Sequence, residues 1–238
     1  MRRSRKWDRP RTPSLSANRC AALVMEERTG VPFTGVDRLI GLAPGDDLMA
    51  LLTRVSGMPV PGKYRRQRSQ LLDAMLDGHF HFGGKKIALG AEPDLLWSIA
   101  RFLTEMGGQI CAAVTTTLSP VLERMPVEQV VIGDLEDLEN LSVGCDLLLT
   151  NSHGRQAAER LHVPFYRLGF PMFDRLGAAH RVSVGYRGTR DLIFDIGNVF
   201  MANTKEPRPD TWRHTEAPLA HTSSIPAPEE LVTITELT

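Results

Sequence analysis

The chain has 238 residues, 42% hydrophobic and 24% charged, the composition of a globular protein able to bury a core. No run approaches the ~18 consecutive apolar residues of a membrane-spanning helix, which argues against a membrane role. Bases and acids balance at 28 each, but residues 1–13 take six of the bases and one acid and leave the remainder at −5, a poor nucleic-acid surface.

The basic start (Arg2, Arg3, Arg5, Lys6, Arg9 and Arg11) has no apolar segment of the kind a secretory signal needs. Residues 1–16 are therefore expected to be a disordered tail, or the product of a start codon set inside a longer reading frame. Cys20, Cys111 and Cys145 are odd in number and far apart, with no CxxC pair. That usage fits a reducing, cytoplasmic setting.

Ala17–Arg28 reads as a short helix closed by Gly30. Asp46 and Asp47 are expected to open a second helix running to about Ser56, with acids at its positive end. Gly57–Gly62 breaks the chain, and Tyr64–Leu76 follows as an amphipathic helix with Leu71, Leu72, Met75 and Leu76 on one face. From Lys86 the pattern alternates. Strands are expected at Lys86–Leu89, Ile110–Val114, Val130–Ile132, Asp146–Thr150 and Pro164–Tyr166. Helices are expected at Pro93–Met106, Asp134–Leu141 and Gly154–Leu161, with a last one at Thr189–Met201 after a Gly-, Phe- and Arg-rich loop. Short apolar strands separated by helices specify an α/β fold, a Rossmann-like parallel sheet flanked by helices. The division expected is a tail at 1–16, the helical part of an incomplete domain at 17–82, the α/β domain at 83–201 and a disordered tail at 202–238.

Several motifs suggest chemistry and do not complete it. Gly57-Met-Pro-Val-Pro-Gly62-Lys63 imitates a phosphate loop, but Tyr64 replaces the magnesium-binding hydroxyl and a helix precedes it where a strand is needed. His79 and His81 would share a side of an extended segment, yet no third ligand accompanies them. Cys111 and Cys145 adjoin apolar strands and read as small buried core residues. Asn151, Ser152, His153 and Arg155 follow the fourth strand at the carboxyl edge, where ligands of parallel sheets bind. They are the candidate cofactor-facing residues, through backbone N–H groups and the Arg155 charge. The plainer reading makes Asn151 or Ser152 the cap of the next helix. The residues assemble no catalytic set and no metal set, so the chain reads as one subunit of a larger assembly.

Long blocks sharpen this reading. KYRRQRSQLLDAMLDGHFHFGGKKIALGAEPDLLW from Lys63 resembles the nitrogenase molybdenum–iron protein family, in which a helix ending Asp-x-His leads into a strand and a Pro-Asp turn. VTTT (Val114–Thr117), IGDLEDLE (Ile132–Glu139), CDLLLTNSHGRQAAERLHVPFYRLGFP (Cys145–Pro171) and FDRLGAAHRVSVGYRGTRDLIFDIGNVF (Phe173–Phe200) continue the likeness. RTGVPF at Arg28–Phe33 extends it towards Ala17. Within the family, the blocks are most similar to the scaffold branch on which the iron–molybdenum cofactor is matured.

The resemblance implies a heterotetramer with NifE-like subunits, contacts with nitrogenase-maturation and iron-protein partners, and no turnover chemistry by this chain alone. It also implies that an iron–sulfur precursor cluster is held in the intact complex and that no cofactor is bound by this chain alone. The family's cluster-ligating cysteine of this subunit type lies in an N-terminal domain, and none of the three cysteines here corresponds to it. The chain is thus expected to begin within the second domain. The alternatives are a catalytic β-type subunit of nitrogenase or of dark-operative protochlorophyllide reductase, or a non-functional truncated copy. A nucleotide-binding module is a further rival that lacks any GxGxxG loop.

Overall fold

The computed structural model describes residues 17–203, without the side chains of 17–20. The tails expected at 1–16 and 202–238 therefore lie outside the described residues, apart from Ala202 and Asn203 at the end of the last helix. Helices α1 (Ala17–Thr29), α2 (Leu42–Ser56) and α3 (Gly62–Phe82) precede the sheet. Strands β1 (Lys86–Gly90), β2 (Gln109–Thr115), β3 (Val131–Ile132), β4 (Leu147–Thr150) and β5 (Phe165–Arg167) alternate with helices α4 (Pro93–Glu105), α5 (Leu135–Leu141) and α6 (Arg155–Leu161). Helix α7 (Gly185–Ala202) closes the fold. Every strand pair is parallel, in the order β3-β2-β1-β4-β5. The order reverses between β1 and β4, which is the signature of a Rossmann-like sheet.

Burial explains the strand composition. β4 is buried along its whole length, and β1 from Ile87 onward, so neither alternates with polar residues. On one face Ile87, Leu89, Leu147 and Leu149 meet Leu96 and Ile99 of α4 and Ile193 and Ile196 of α7. Leu71, Ala74 and Phe82 of α3 belong to the same core. Packing is therefore continuous across the boundary expected at residue 82. On the other face Ala88, Ala112 and Leu148 meet Leu138 of α5 and Ala157 and Ala158 of α6. Gly78 lets α3 approach α7 closely, since a Cβ there would stand 2.5 Å from the Ile193 side chain.

Three local expectations need correction. Helix α2 starts one turn earlier than its acids suggest, so Asp46 caps nothing. Its carboxylate accepts from Arg68 Nε and Nη2, both at 2.8 Å, and from the Tyr186 hydroxyl at 2.6 Å. These contacts tie α2, α3 and α7 together. Arg68 holds the Asp46 carboxyl below its usual value, and burial pushes the Tyr186 phenol up. Helix α3 runs on through His79–Phe82 because Phe82 is drawn into the core, edge-on to Phe102 and Phe200 at 6.4 and 5.4 Å. His79 and His81 thus lie in its last turn and not on one side of an extended segment. Leu76 is exposed, because the buried stripe follows Leu71, Ala74, Gly78 and Phe82.

The third correction concerns the thiols. Cys145 is buried but Cys111 is exposed. Helices cover both faces of β2 only from Ala112 onward, and a register shift between Ile87 and Ala88 leaves Cys111 without a partner opposite.

The segment 31–41 is held to the α/β layer by Trp97 of α4. The guanidinium groups of Arg38 and Arg124 stand over its ring at 4.8 and 4.1 Å, and Nε1 donates to the Arg124 carbonyl at 3.0 Å. The acidic run after β3 is fixed by contacts of its own. Asp134 and Asp137 form a reciprocal capping box on α5, and Glu139 receives both Nε and Nη2 of Arg160 from α6.

Because Phe82 is fully buried between two other rings, Phe82→Ala should lower unfolding free energy by about 3–5 kcal/mol. Urea denaturation of both proteins measures this, and Leu76→Ala at the exposed position should cost under about 0.5 kcal/mol.

Candidate functional site

The carboxyl edge beside the β1–β4 crevice is built from the end of β4, a 3-10 turn at Ser152–Gly154, and the loop 168–184 between β5 and α7. Asn151 begins it. Its Oδ1 accepts from the His153 N–H at 3.1 Å, and its Nδ2 donates to the Phe170 carbonyl at 3.2 Å. The capping expected of Asn151 is thus present, on the 3-10 turn. Gly154 is required for the turn to sit on β4: a Cβ there would stand 2.1 Å from Thr150 Cγ2.

Ser152 is buried and anchors the long loop. Its N–H donates to the Pro171 carbonyl at 3.0 Å, and its hydroxyl donates to Asp174 Oδ1 at 2.5 Å while accepting from the Phe173 N–H at 3.2 Å. Arg167, at the end of β5, completes the knot with a two-pronged contact to Asp174, Nε–Oδ1 2.8 Å and Nη2–Oδ2 2.6 Å. Arg155 adds an ion pair at 3.7 Å and also reaches Glu159 at 3.2 Å. Arg167 first, and the Ser152 hydroxyl second, hold the Asp174 carboxyl far below the usual carboxylate range.

The structure therefore brings Ser152 and Arg155 together on Asp174, and sets His153 apart, exposed and edge-on to Phe173 at 5.0 Å. The N–H groups of residues 152–154 all have internal acceptors: Pro171 O, Asn151 Oδ1 and Asn151 O. As placed, they cradle no anion. Asp174 and Arg167 escape a reading of the sequence, because the loop holding Asp174 has no period and the pair forms only across the sheet edge. The signal available was the loop itself, too long to be a plain connector.

What the knot leaves outward is apolar. Phe170, Phe173 and Leu176 are 83%, 65% and 107% exposed, and Asn151 and Ser152 pin the backbone of the two phenylalanines. Exposed apolar side chains on a fixed loop suit contact with another surface better than proton transfer. Among the described residues no group of three or more His, Cys, Asp or Glu is placed to hold a metal ion. No helix among them is long and apolar enough to cross a membrane. The Gly57–Gly62 stretch joins two helices, as its sequence required, and has no strand before it.

The family profile described as nitrogenase component 1 type oxidoreductase matches residues 13–201. The chain belongs to that family. It is 58% identical over 220 residues to the nitrogenase iron-molybdenum cofactor biosynthesis protein NifN of Bradyrhizobium diazoefficiens, covering 89% of this chain and 47% of that protein. It is 56% identical over 194 residues to NifN of Mesorhizobium japonicum, covering 80% and 42%. Among solved structures, the fold matches nitrogenase Cp1 at pH 6.5 with a TM-score of 0.71 at 31% identity, over 78% of this chain and 44% of that one. The chain thus spans about half the length of the relatives it matches.

Asp174 keeps its charge to low pH, so the knot's electrostatic part should be complete above about pH 4, the ordinary carboxylate value. It should fade only as pH falls through the depressed folded value. Amide exchange in 168–184 should therefore be slow and nearly constant from pH 7 to 4 after correction for intrinsic rates. Asp174→Asn should exchange several-fold faster over that range, and the two proteins should converge in stronger acid.

Proposed function

We propose that this chain forms the C-terminal half of a NifN-type subunit of the scaffold on which the nitrogenase iron–molybdenum cofactor is matured before transfer to the apo-nitrogenase. The observation that carries the reading is 58% identity over 220 residues to a NifN protein, reached within a family match of residues 13–201. On this reading the chain works in the cytoplasm, paired with a NifE-type subunit in a heterotetramer, and performs no turnover chemistry itself. The iron–sulfur precursor is cargo, ligated by other parts of the assembly. Cys111 and Cys145 stand near the amino ends of β2 and β4, away from the edge that carries the loop.

The arrangement of the carboxyl edge supports a docking role over a catalytic one. Asp174, Ser152 and Arg167 spend their hydrogen bonds on one another, fixing the loop. His153 and the exposed Phe170, Phe173 and Leu176 are the groups left to meet a partner or its cargo, with Arg155 beside them on Asp174 and Glu159. Asn151 and Ser152 act behind them, as the posts that position this face.

Co-expression with a NifE-type subunit, followed by pull-down and a cofactor-maturation assay in a strain lacking its own NifN, tests the reading. The chain should be captured and should restore maturation only when the half that longer relatives possess is supplied with it. Replacing Phe170 and Leu176 together by Ser should reduce capture about tenfold or more, as the loss of two buried apolar side chains from an interface would. Capture unaffected by that pair would remove the loop from the contact. Absence of both capture and maturation with every half supplied would remove the scaffold reading.

A further inference from the structure

Asp46 ties the early part of α2 to α3 and α7. Along the rest of α2, a groove of about 590 Å³ runs between that helix, the start of α3 and the segment 182–187. Leu48, Leu52, Met58, Val60, Val182 and Val184 make its walls apolar. Tyr186 closes its base, buried and packed on the α2 backbone, where a Cβ at Gly45 would stand 2.6 Å from Tyr186 Cε1. With its hydroxyl on Asp46 this ring is held in place, so the groove is shaped before anything enters it. Leu52, Met58, Val182 and Val184 are exposed. Single exposed apolar residues are ordinary, but a continuous set around a fixed concave base marks a binding surface.

The charge at its mouth has one sign. Among the described residues that line the groove, Arg187 is the only charged one. Helix α3 opens there, with Pro61 and Tyr64 in the wall, and its first turns carry Lys63, Arg65 and Arg66 with no acid in the first turn. The two guanidinium groups converge on Gly62: Arg65 Nη2 and Arg66 Nη1 stand 3.8 and 3.9 Å from where a Cβ on that glycine would lie. The Lys63 ammonium is 5.8 Å from the centre of the Tyr64 ring. Among the described residues, none of these three cations enters an ion pair. The positive end of α3 adds to the same field, at a place where carboxylates are the favoured neighbours.

We propose that this groove receives an acidic, amphipathic helix of a partner protein, whose apolar side chains fill it and whose carboxylates meet Lys63, Arg65 and Arg66. The walls are helices and a loop with no open sheet edge, so an extended segment would leave its backbone unpaired, whereas a helix brings its own hydrogen bonds. From Gly45 to Ser56 the groove follows α2 for roughly 16 Å, the length of three helical turns with anchors at i, i+4 and i+7. A nucleic acid has charge for the cations but no aliphatic groups for the walls, and a bilayer surface is too flat to enter. The groove uses none of the residues assigned above to docking at the carboxyl edge, so the inference goes beyond the scaffold reading and does not rest on it.

Fluorescence anisotropy on the full chain tests this with two labelled synthetic peptides of about fourteen residues, roughly four helical turns. Both carry Leu at i, i+3, i+4 and i+7 on an Ala background, and the opposite face holds Glu in one and Lys in the other. The Glu peptide should bind saturably, about tenfold or more tighter than the Lys peptide, and should weaken as salt is raised. Lys63→Glu combined with Arg66→Glu should abolish that preference. Leu52→Ser combined with Met58→Ser should weaken the Glu peptide about tenfold or more, with the urea midpoint unchanged because both positions are exposed. Equal binding of the two peptides, no saturable binding, or binding unmoved by either double variant overturns the proposal. It is equally overturned if Leu231→Ser combined with Ile234→Ser raises the Glu peptide's affinity, which gives the groove to the chain's own sequence. A chain that is dimeric, and made monomeric by Leu52→Ser with Met58→Ser, gives it to a second copy and overturns the partner assignment too. None of these results touches the scaffold reading, whose test is maturation with the NifE-type subunit.

Discussion

A parallel sheet has to be covered on both faces, and the rest of this structure follows from how that cover is supplied. The two sides are unequal. One face receives three long helices, α3, α4 and α7, and the other two short ones, α5 and α6. Each fully buried Leu or Ile contributes about 1.5–3 kcal/mol, so the larger face carries most of the hydrophobic stabilisation. It depends on α3, which comes from the chain before the first strand. Without Leu71, Ala74 and Phe82, helix α7 would lose the surface that Gly78 is shaped to meet.

The short helices explain the carboxyl edge. With so little apolar area of their own, α5 and α6 are secured by polar devices: the capping box at Asp134, the Glu139–Arg160 pair between them, and Gly154 seated on Thr150. The Asp174 knot extends the same device to the loop 168–184. Charge is used here for position, since the buried hydroxyl and the carboxylate satisfy one another fully. A loop fixed in this way can present aromatic side chains to a partner with little ordering cost at the moment of contact.

All five strands and the fold class were legible in the sequence because a sheet buried on both faces writes continuous apolar runs such as KIALG and LLLT. The ends were less so. The starts of α2 and α7 lay beyond their obvious signals, because Pro44 and Gly185 look like breakers and serve as first-turn residues. The His79–Phe82 turn was hidden by a short alternation that mimics a strand. At the site, Asn151 as a cap could be read from its type and place. The Ser152–Asp174–Arg167 knot could not, since it joins residues far apart in sequence and forms only once β4 and β5 are side by side. The exposure of Cys111 was hidden for a similar reason: it depends on a register shift in the neighbouring pair.

Helix α3 and the sheet share one core and should open as one cooperative structure, which native-state hydrogen exchange measures directly. Under increasing urea, amides of α3 between Leu71 and Phe82 should open with the same free energy and the same urea dependence as those of β1 and β4. Exchange of α3 in an earlier, separate step, with β1 and β4 still protected, would contradict the account.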